Sequence, residues 1–291
     1  MLIANPIYDV VFKYMMEDMK VAKTFISAIL GKEVLELDFC PQELTIKYTE
    51  ESRTVVRMDF LARIKTPDGQ KAVIIEIQKA QSSFEIKRFR RYIGKQYENP
   101  HNIYQDDNNK EKIRQIYCIF FLGDGLNVQQ SPVLIVTNTV KDRLTGEELH
   151  LNNDFIDCLH HNSWIVQIPY LKKSRRDDLE KLLTIFDQSN ITSGNNHIMK
   201  VIEDDFPEQY RHIIRRLRQA AVNEEIEEQM IAHDEILCDF QSLERQIEWQ
   251  LDMLEKKDKK IEEKDKKIEE MEGKLEKLES LVEKLLDQSK K

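Results

Sequence analysis

The chain has 291 residues and a hydrophobic fraction of 41%, which is enough for one sizeable globular domain with an appendage. Its formal net charge of −9 argues against a general binder of polyanions, although it is compatible with local basic surfaces. The four cysteines are scattered without a Cys-x-x-Cys pair, so we expect neither a disulfide framework nor a cysteine zinc site. Neither a secretory leader pattern nor an apolar run of roughly 20 residues is present, so we expect a cytoplasmic protein without a membrane span.

The first half of the chain predicts the order helix, three strands, helix, strand. Asn5-Pro6 is a suitable N-cap and first residue for an initial helix, and a second helical stretch ends at Gly31. Phe89, Ile93 and Tyr97 form an apolar stripe at helical spacing. The predicted strands lie at residues 34–48, 54–64, 71–79, 113–122, 133–140 and 163–168, and the later helices at 21–30, 84–97 and 174–186.

Two acidic residues lie in neighbouring strand-like runs that a turn joins. Thr66-Pro67-Asp68-Gly69 has turn chemistry, so the runs on either side of it are predicted to form a hairpin. If Thr66 faces Gly69, Asp59 lies directly across from Glu76, with about 5 Å between their Cβ atoms. Because like charges that face each other destabilise a sheet, this register indicates a cation between the two carboxylates.

A different turn would change this arrangement. A three-residue loop with Gly69 in a bulge puts the two acids on opposite faces of the sheet. A second bulge nearby would return them to one face, and bulges are common beside active sites. The spacing is equally compatible with an edge hairpin whose acids face water, so the residues alone permit a metal site without requiring one.

The C-terminal part of the chain has a different pattern. A polar stretch at residues 188–196 predicts a loop or linker, and the sequence after it is helical in character nearly to the end. KDKKIEE at residues 257–263 repeats unchanged at 264–270, followed by apolar residues in steps of three and four, which is typical of a coiled coil. Asp258 and Asp265 occupy positions where a coiled coil usually has apolar residues, so a solvated single helix is the alternative for this repeat. We predict a globular domain at 1–190, a helical extension at 191–240 and a coiled coil at 241–291 that makes the chain a homo-oligomer.

Asp59 followed by Glu76-x-Gln78 on a hairpin between two helices is a weak pattern alone, but further segments accompany it. They are residues 5–18 (NPIYDVVFKYMMED), 27–31 (SAILG), 57–60 (RMDF), 74–79 (IIEIQK), 88–92 (RFRRY) with Tyr97, 170–173 (YLKK), 185–190 (IFDQSN) and Tyr210 with 214–216 (IRR). With these segments the chain resembles the PD-(D/E)XK nuclease family transposases, a group related to the recombination-promoting nucleases.

The resemblance implies an α/β fold, namely a restriction-endonuclease-like αβββαβ core with a mixed sheet flanked by helices, and this agrees with the order of elements above. It implies that Asp59 and Glu76 are catalytic, metal-binding acids, and that Gln78 occupies the position where the wider superfamily usually has lysine. The implied cofactor is Mg²⁺ (or Mn²⁺), a hard cation that prefers oxygen ligands. Gln78 can orient water or contact phosphate but cannot act as a general base. Asp9 is a further candidate metal ligand, the alternative being an exposed acid near a helix start.

A basic helical face is the candidate contact with DNA. Arg88, Arg91 and Lys95 recur at helical spacing opposite the apolar stripe, and Tyr92 lies one turn from Arg88. Phosphate contacts and a solvated cationic face explain this pattern equally well. Basic clusters at residues 172–176 and 211–218 could extend a DNA track, but ion pairs within helices explain them nearly as well. His160-His161 lacks partners at ligand spacing and is predicted to be a surface or core pair.

The resemblance, together with these patterns, implies a Mg²⁺-dependent deoxyribonuclease of the PD-(D/E)XK type, an endonuclease that hydrolyses phosphodiesters in DNA recombination or transposition. Its coiled coil would pair two protomers and place two nicking sites on one duplex. The alternative function is a catalytically weak or inactive nuclease fold that binds DNA, which the glutamine at residue 78 favours. A third hypothesis is an oligomerisation scaffold whose working part is the helical tail.

Overall fold

A computed structural model describes residues 1–40, 43–47, 53–57, 60–78, 83–106, 108–126, 130–149, 151, 153–172, 175–235, 253 and 257. For residues 43–47, 53–57, 78, 83–88, 91–92 and 154 it describes the backbone alone. The chain divides into two units, Met1–Met230 and Ile231–Lys291, and the elements below all belong to the first. None of the helices in the described ranges is both long and apolar enough to cross a membrane.

Short helices and many strands make up the first unit. The helices are α1 (Asp9–Glu17), α2 (Met19–Leu30), α3 (Ser83–Glu98), α4 (Asp154–Cys158), α5 (Ile168–Leu171), α6 (Asp178–Leu183) and α7 (Arg211–Ala220). The strands are β1 (Leu2–Ala4), β2 (Glu36–Phe39), β3 (Glu43–Lys47), β4 (Arg53–Arg57), β5 (Phe60–Thr66), β6 (Gly69–Gln78), β7 (Ile103–Gln105), β8 (Glu111–Ile113), β9 (Gln115–Leu122), β10 (Val133–Val136), β11 (Val140–Lys141), β12 (Glu148–Leu149), β13 (His161–Gln167), β14 (Ile191–Thr192) and β15 (Asn195–Lys200).

Six of these strands form one mixed sheet in the order β10-β13-β9-β6-β5-β2. β6, β9 and β13 run parallel to one another, whereas the remaining neighbours are antiparallel. The long apolar run of β9 lies between two parallel neighbours, which explains why it lacks the alternation of a half-solvated strand. A mixed sheet flanked by helices, with α1 and α2 before it and α3 inside the strand order, confirms the α/β class.

The predicted first and second strands are each divided in two. The chain leaves the main sheet after Phe39, and β3 pairs with β4 as a separate hairpin. It returns to the sheet at Phe60, where β5 pairs with β2 and β6. A period-two pattern identifies a strand but not its partner, so the sequence could not separate β2 from β3 or β4 from β5.

Local signals at the first two helices are only partly as predicted. Helix α2 ends at Gly31, whose φ of 65° is the left-handed conformation that favours glycine. The carboxylate of Asp18 accepts the backbone N–H groups of Lys20 and Val21 and caps the start of the same helix. Asn5 is not the N-cap of α1, which begins at Asp9; instead its side chain is buried and donates to Gln188.

The two faces of the sheet are covered differently. On one face α1 and α2 pack through a cluster of aromatic rings, in which Phe12 contacts Phe25, Phe60, Phe121 and Phe186. On the other face Phe89 and Ile93 of α3 pack in a smaller apolar cluster. Fully burying one phenylalanine contributes about 1.5–3 kcal/mol, so the aromatic cluster is a main source of stability for this unit.

The predicted linker at residues 188–196 contains a hairpin instead. Strands β14 and β15 pair across Gly194, and β15 pairs with β1 at the opposite end of the sequence. The predicted boundary at residue 190 therefore falls inside the compact unit Met1–Met230, to which α7 also belongs. The predicted coiled coil at 241–291 lies outside the described residues except for Met253 and Lys257, which are helical.

Candidate active site

The hairpin formed by β5 and β6 has the register in which Thr66 faces Gly69. Thr66 lies opposite Gly69, and the ladder continues without a shift to Phe60 opposite Ile75. Pro67-Asp68 is therefore a two-residue turn, and Gly69 adopts a φ of 107° that side chains rarely tolerate. Of the two registers that the sequence left open, this ladder has the one in which Thr66 faces Gly69. Asp59, the residue before Phe60, lies outside the described residues.

Glu76 is placed within the sheet near the carboxyl end of β6. Its strand is flanked by β5 on one side and β9 on the other, and its side chain is only 1% exposed. Phe60, Ile75 and Phe121 belong to the aromatic face, so Glu76 lies on the opposite face, in one row with Phe120 of β9. A carboxylate this far from water is chemically distinctive, because burying its charge costs free energy that other groups must offset.

The carboxyl ends of three parallel strands form the edge beside Glu76. Gln78, Leu122 and Gln167 are in register across β6, β9 and β13, although the side chain of Gln78 is not described. In open α/β sheets, ligands bind at the carboxyl ends of the strands. The position of Glu76 in the fold is therefore one where a reaction site is expected.

Gln167 stabilises this edge, and the sequence analysis did not identify it. Its side chain is fully buried, its Oε1 accepts the Leu126 N–H at 2.8 Å, and its Nε2 donates to the Ser131 carbonyl at 2.7 Å. These two hydrogen bonds connect the end of β13 to the loop that follows β9. The only signal in the sequence was a polar residue near the end of an otherwise apolar run.

Asp9 begins helix α1, where an acid is electrostatically favourable. Its Oδ2 forms an ion pair with Lys13 Nζ at 2.7 Å, whereas its Oδ1 is buried without a hydrogen-bond partner among the described residues. Phe12, one turn further along, packs on Phe60, which lies on the face opposite Glu76. Within the described residues, no three histidine, cysteine or carboxylate side chains converge at metal-binding distance.

Helix α3 covers the same face as Glu76. The rings of Phe89 and Phe120 meet edge to face with 4.0 Å between their centroids, and Ile93 is buried one turn further along. The third residue of the predicted stripe, Tyr97, is 46% exposed. Lys95 forms an ion pair with Glu98 at 2.8 Å. The side chains of the other predicted DNA contacts, Arg88, Arg91 and Tyr92, lie outside the described part of the helix.

A family model for the PD-(D/E)XK nuclease family transposases matches residues 6–159, just over half of the chain. The chain belongs to this family. The matched segment contains α1, α2, the β5–β6 hairpin, α3 and β9, and hence every predicted site residue. No curated protein and no solved structure matches the chain.

Membership in the PD-(D/E)XK nuclease family transposases supports a nuclease- or transposase-type function with DNA as the substrate. Members of this nuclease class generally use divalent metal ions.

The other basic clusters of this PD-(D/E)XK protein are largely ion-paired. Arg215 Nε lies 2.8 Å from Glu203, Arg211 lies 3.3 Å from Asp204, and Arg175 lies 3.4 Å from Asp205. These acids belong to one short 3₁₀ turn, Glu203–Asp205. The arrangement favours the structural explanation of residues 175 and 211–215 over a DNA track.

The paired histidines have ordinary structural roles. His160 Nδ1 lies 3.1 Å from the Ile156 carbonyl, and His161 Nδ1 lies 3.1 Å from the Tyr97 hydroxyl. Burial, and then the neighbouring His160, lower the pKa of His161. Trp164 packs against Tyr117 with 5.0 Å between ring centroids.

Proposed function

We propose that this protein is a Mg²⁺- or Mn²⁺-dependent DNA endonuclease acting in recombination or transposition, with Asp59 and Glu76 as the metal-binding acids. The observation that carries the proposal is the pairing of β5 with β6, which runs without a shift from Thr66 opposite Gly69 to Phe60 opposite Ile75. One further step of that register would pair Asp59 with Glu76, at about 5 Å between Cβ atoms. The family match supports the same assignment.

The donor set fits a hard divalent ion. Glu76 and Asp59 supply carboxylate oxygens and the Ile77 backbone supplies a carbonyl oxygen, which are the ligand types that Mg²⁺ prefers. A bound ion would stabilise the charged leaving oxygen and lower the pKa of its water. Gln78 would orient the attacking water or hold the scissile phosphate. Asp9 stays a candidate outer ligand, competing with its ion pair to Lys13.

Helix α3 would hold the DNA backbone beside the acids. Its apolar contacts with Phe120 keep it on the Glu76 face, and the predicted DNA contacts Arg88, Arg91, Tyr92 and Lys95 belong to this helix, so they would bind the backbone of a duplex that reaches the acids. Because Arg215 of α7 is already paired with Glu203, we expect Arg91→Ala to weaken DNA binding and Arg215→Ala to leave it nearly unchanged.

Plasmid nicking in the presence of Mg²⁺ tests the site. Glu76→Gln and Asp59→Asn should each lower the nicking rate by at least about 100-fold, the order of effect for removing one group that stabilises a transition state. The matched controls are Glu36→Gln and Asp38→Asn on β2, exposed acids that form ion pairs with Lys65 and Arg63. Cleavage that Glu76→Gln leaves unchanged would show that the site is assigned wrongly.

Metal binding is measured separately from cleavage. Mg²⁺ at about 100 times its Kd should stabilise the parent chain by about 2.7 kcal/mol, visible as a rise in Tm. The same rise is expected for Glu36→Gln but not for Glu76→Gln. A full rise with Glu76→Gln would place the ion elsewhere.

A second candidate function is DNA binding without cleavage. Gln78 favours it, because the wider superfamily usually has a lysine there that assists the attacking water. Salt-sensitive DNA binding with no nicking at any concentration of Mg²⁺ or Mn²⁺ would select this alternative. If Gln78→Lys then produced nicking, the missing lysine would be the cause.

A further inference from the structure

Exposed apolar side chains are concentrated in one stretch of the chain. Of the eighteen large apolar side chains that are exposed in the described part, seven lie between residues 135 and 159. They are Ile135, Val136, Leu144, Leu149, Leu151, Phe155 and Leu159. Exposed apolar side chains mark an interaction site where they lie side by side, as Ile135 and Val136 do on one strand.

Strand β10 lies at the edge of the main sheet within this stretch. It pairs with β13 on one side, and no strand in the described ranges pairs with its other side. Residues 130–140 carry no charged side chain, and Pro132 precedes the strand rather than interrupting it. Edge strands that stay solvated are usually protected by lysine, proline or a bulge, so β10 has the character of a strand that is paired in the assembled protein.

Towards its end, β10 has exposed side chains on both faces of the sheet as well. Ile135 lies opposite Trp164 on the aromatic face and is 61% exposed, whereas Val136 lies opposite Ser163 on the Glu76 face and is 50% exposed. A partner stacked on one face would cover only one of these side chains. A strand added to the edge would approach both of them, which favours continuation of the sheet.

We propose that β10 pairs antiparallel with β10 of a second copy of this chain. An uncharged strand meets no like-charge penalty when it pairs with itself. The apolar residues in steps of three and four that follow the repeat at residues 257–270 predict that the tail associates with a second copy, which would raise the local concentration of the partner strand. This pairing is isologous, the commonest interface symmetry in homo-oligomers.

The geometry of the sheet restricts the register. The two-fold axis of an antiparallel pair stands perpendicular to the sheet, so each face continues into the same face of the second copy. Two residues that face each other must then be both even-numbered or both odd-numbered, because successive side chains alternate between the faces. One residue therefore lies on the axis, opposite the same residue of the second copy. Centring on Ile135 pairs Val133 with Thr137 and Leu134 with Val136. Centring on Leu134 would use Pro132, which has no N–H to donate.

This pairing places both candidate active sites on one face of a continuous sheet. Strand β6 is the third strand from β10, so the two copies of β6 are seven strand steps apart. At the usual spacing of about 4.8 Å per strand, that is about 34 Å across the strands. The strand pairing stands independently of the proposed nuclease activity.

Cross-linking of the full-length chain tests the pairing. Ile135→Cys would be made with Cys158 and Cys238 changed to serine; Cys40 and Cys118 are buried. A short bismaleimide should then give a covalent dimer in high yield. The matched control is Ile202→Cys, which is 62% exposed and should give no covalent dimer.

Hydrogen exchange supplies the second measurement. Backbone amides of residues 133–137 should exchange at least about tenfold more slowly in the parent chain than in Ile135→Lys, which opposes two charges on the axis. Ile202→Lys should leave this protection intact. Protection of β10 without cross-linking at residue 135 would mean that another segment of the same chain covers the strand. A dimer with neither protection nor cross-link would mean that the tail alone assembles the protein. Either result overturns the proposal.

Discussion

Phe89 of helix α3 meets Phe120 of strand β9 edge to face, with 4.0 Å between the ring centroids. Phe120 lies opposite Glu76 in the parallel register of β6 and β9. The contact therefore holds the helix that carries the predicted DNA-binding face over the row of the sheet that carries the buried acid. A pair of rings thus connects the two halves of the proposed site.

Removing this ring should affect both stability and activity. Phe89 is partly buried, so Phe89→Ala should lower the free energy of unfolding by about 2 kcal/mol through lost aromatic packing. The nicking rate should fall as well, because α3 loses its position over Glu76. Urea titration measures the first effect and plasmid nicking the second. Phe155→Ala, at a side chain that is 70% exposed, is the control and should change stability by less than about 0.5 kcal/mol.

His161 should make the protein less stable in mild acid. Burial lowers its pKa below the ordinary 6.5, so the unfolded chain binds a proton at a pH where the folded chain does not. Stability is therefore present above pH 6.5 and is lost as the pH falls towards the folded-state pKa. His212, whose pKa burial also lowers, acts in the same direction.

The free energy of unfolding at about pH 7.5 and about pH 5.5 provides the test. The loss between these two values should be smaller in His161→Asn than in the parent chain, while the exposed His101→Asn should behave like the parent. An equal loss in the parent and His161→Asn would contradict the assignment.

Gly125 is packed against Tyr170 in the loop that follows β9. A Cβ atom at residue 125 would lie 2.7 Å from the Tyr170 Oη and 2.9 Å from two ring carbons. Gly125→Ala should therefore destabilise the fold by about 1 kcal/mol, because the half-buried tyrosine must rotate away. In a Tyr170→Ala background the same substitution should cost much less. Additive effects in this double-mutant cycle would exclude the steric explanation.

Arg216 joins α7 to the last turn of α1. Its guanidinium lies 3.6 Å from the centroid of the Tyr14 ring and donates to the Tyr14 carbonyl at 2.9 Å and 3.1 Å. Lysine keeps the positive charge but lacks the planar guanidinium that stacks on the ring and donates two hydrogen bonds. Arg216→Lys should therefore lower the free energy of unfolding by about 1–2 kcal/mol. Arg218→Lys, at an exposed position of the same helix, should have almost no effect in the same thermal melt.

Several local features could be predicted because neighbouring residues determine them. Thr66-Pro67-Asp68-Gly69 predicts a tight turn, and of the two registers compatible with it the structure has the one that continues along the ladder to Phe60 and Ile75. Gly31 ends α2 because few other residues tolerate its φ. The order helix, strands, helix, β9 follows from the period of the apolar residues, whereas the hairpin of β7 and β8 and the division of the first two predicted strands do not. Glu76 could thus be placed on a strand beside β5, while its pairing with Asp59 stays a prediction.

Contacts between distant residues decided the rest, and a local pattern holds no information about them. The order of strands that places β13 between β9 and β10 depends on which apolar surfaces fit together. The pairing of β1 with β15 joins residues about 200 positions apart. Because of it, the predicted linker at residues 188–196 belongs to the compact unit. The burial of Gln167 and the exposure of Ile135 have the same origin. Periodicity indicates that a side chain needs a partner, whereas only the assembled sheet determines which surface supplies it.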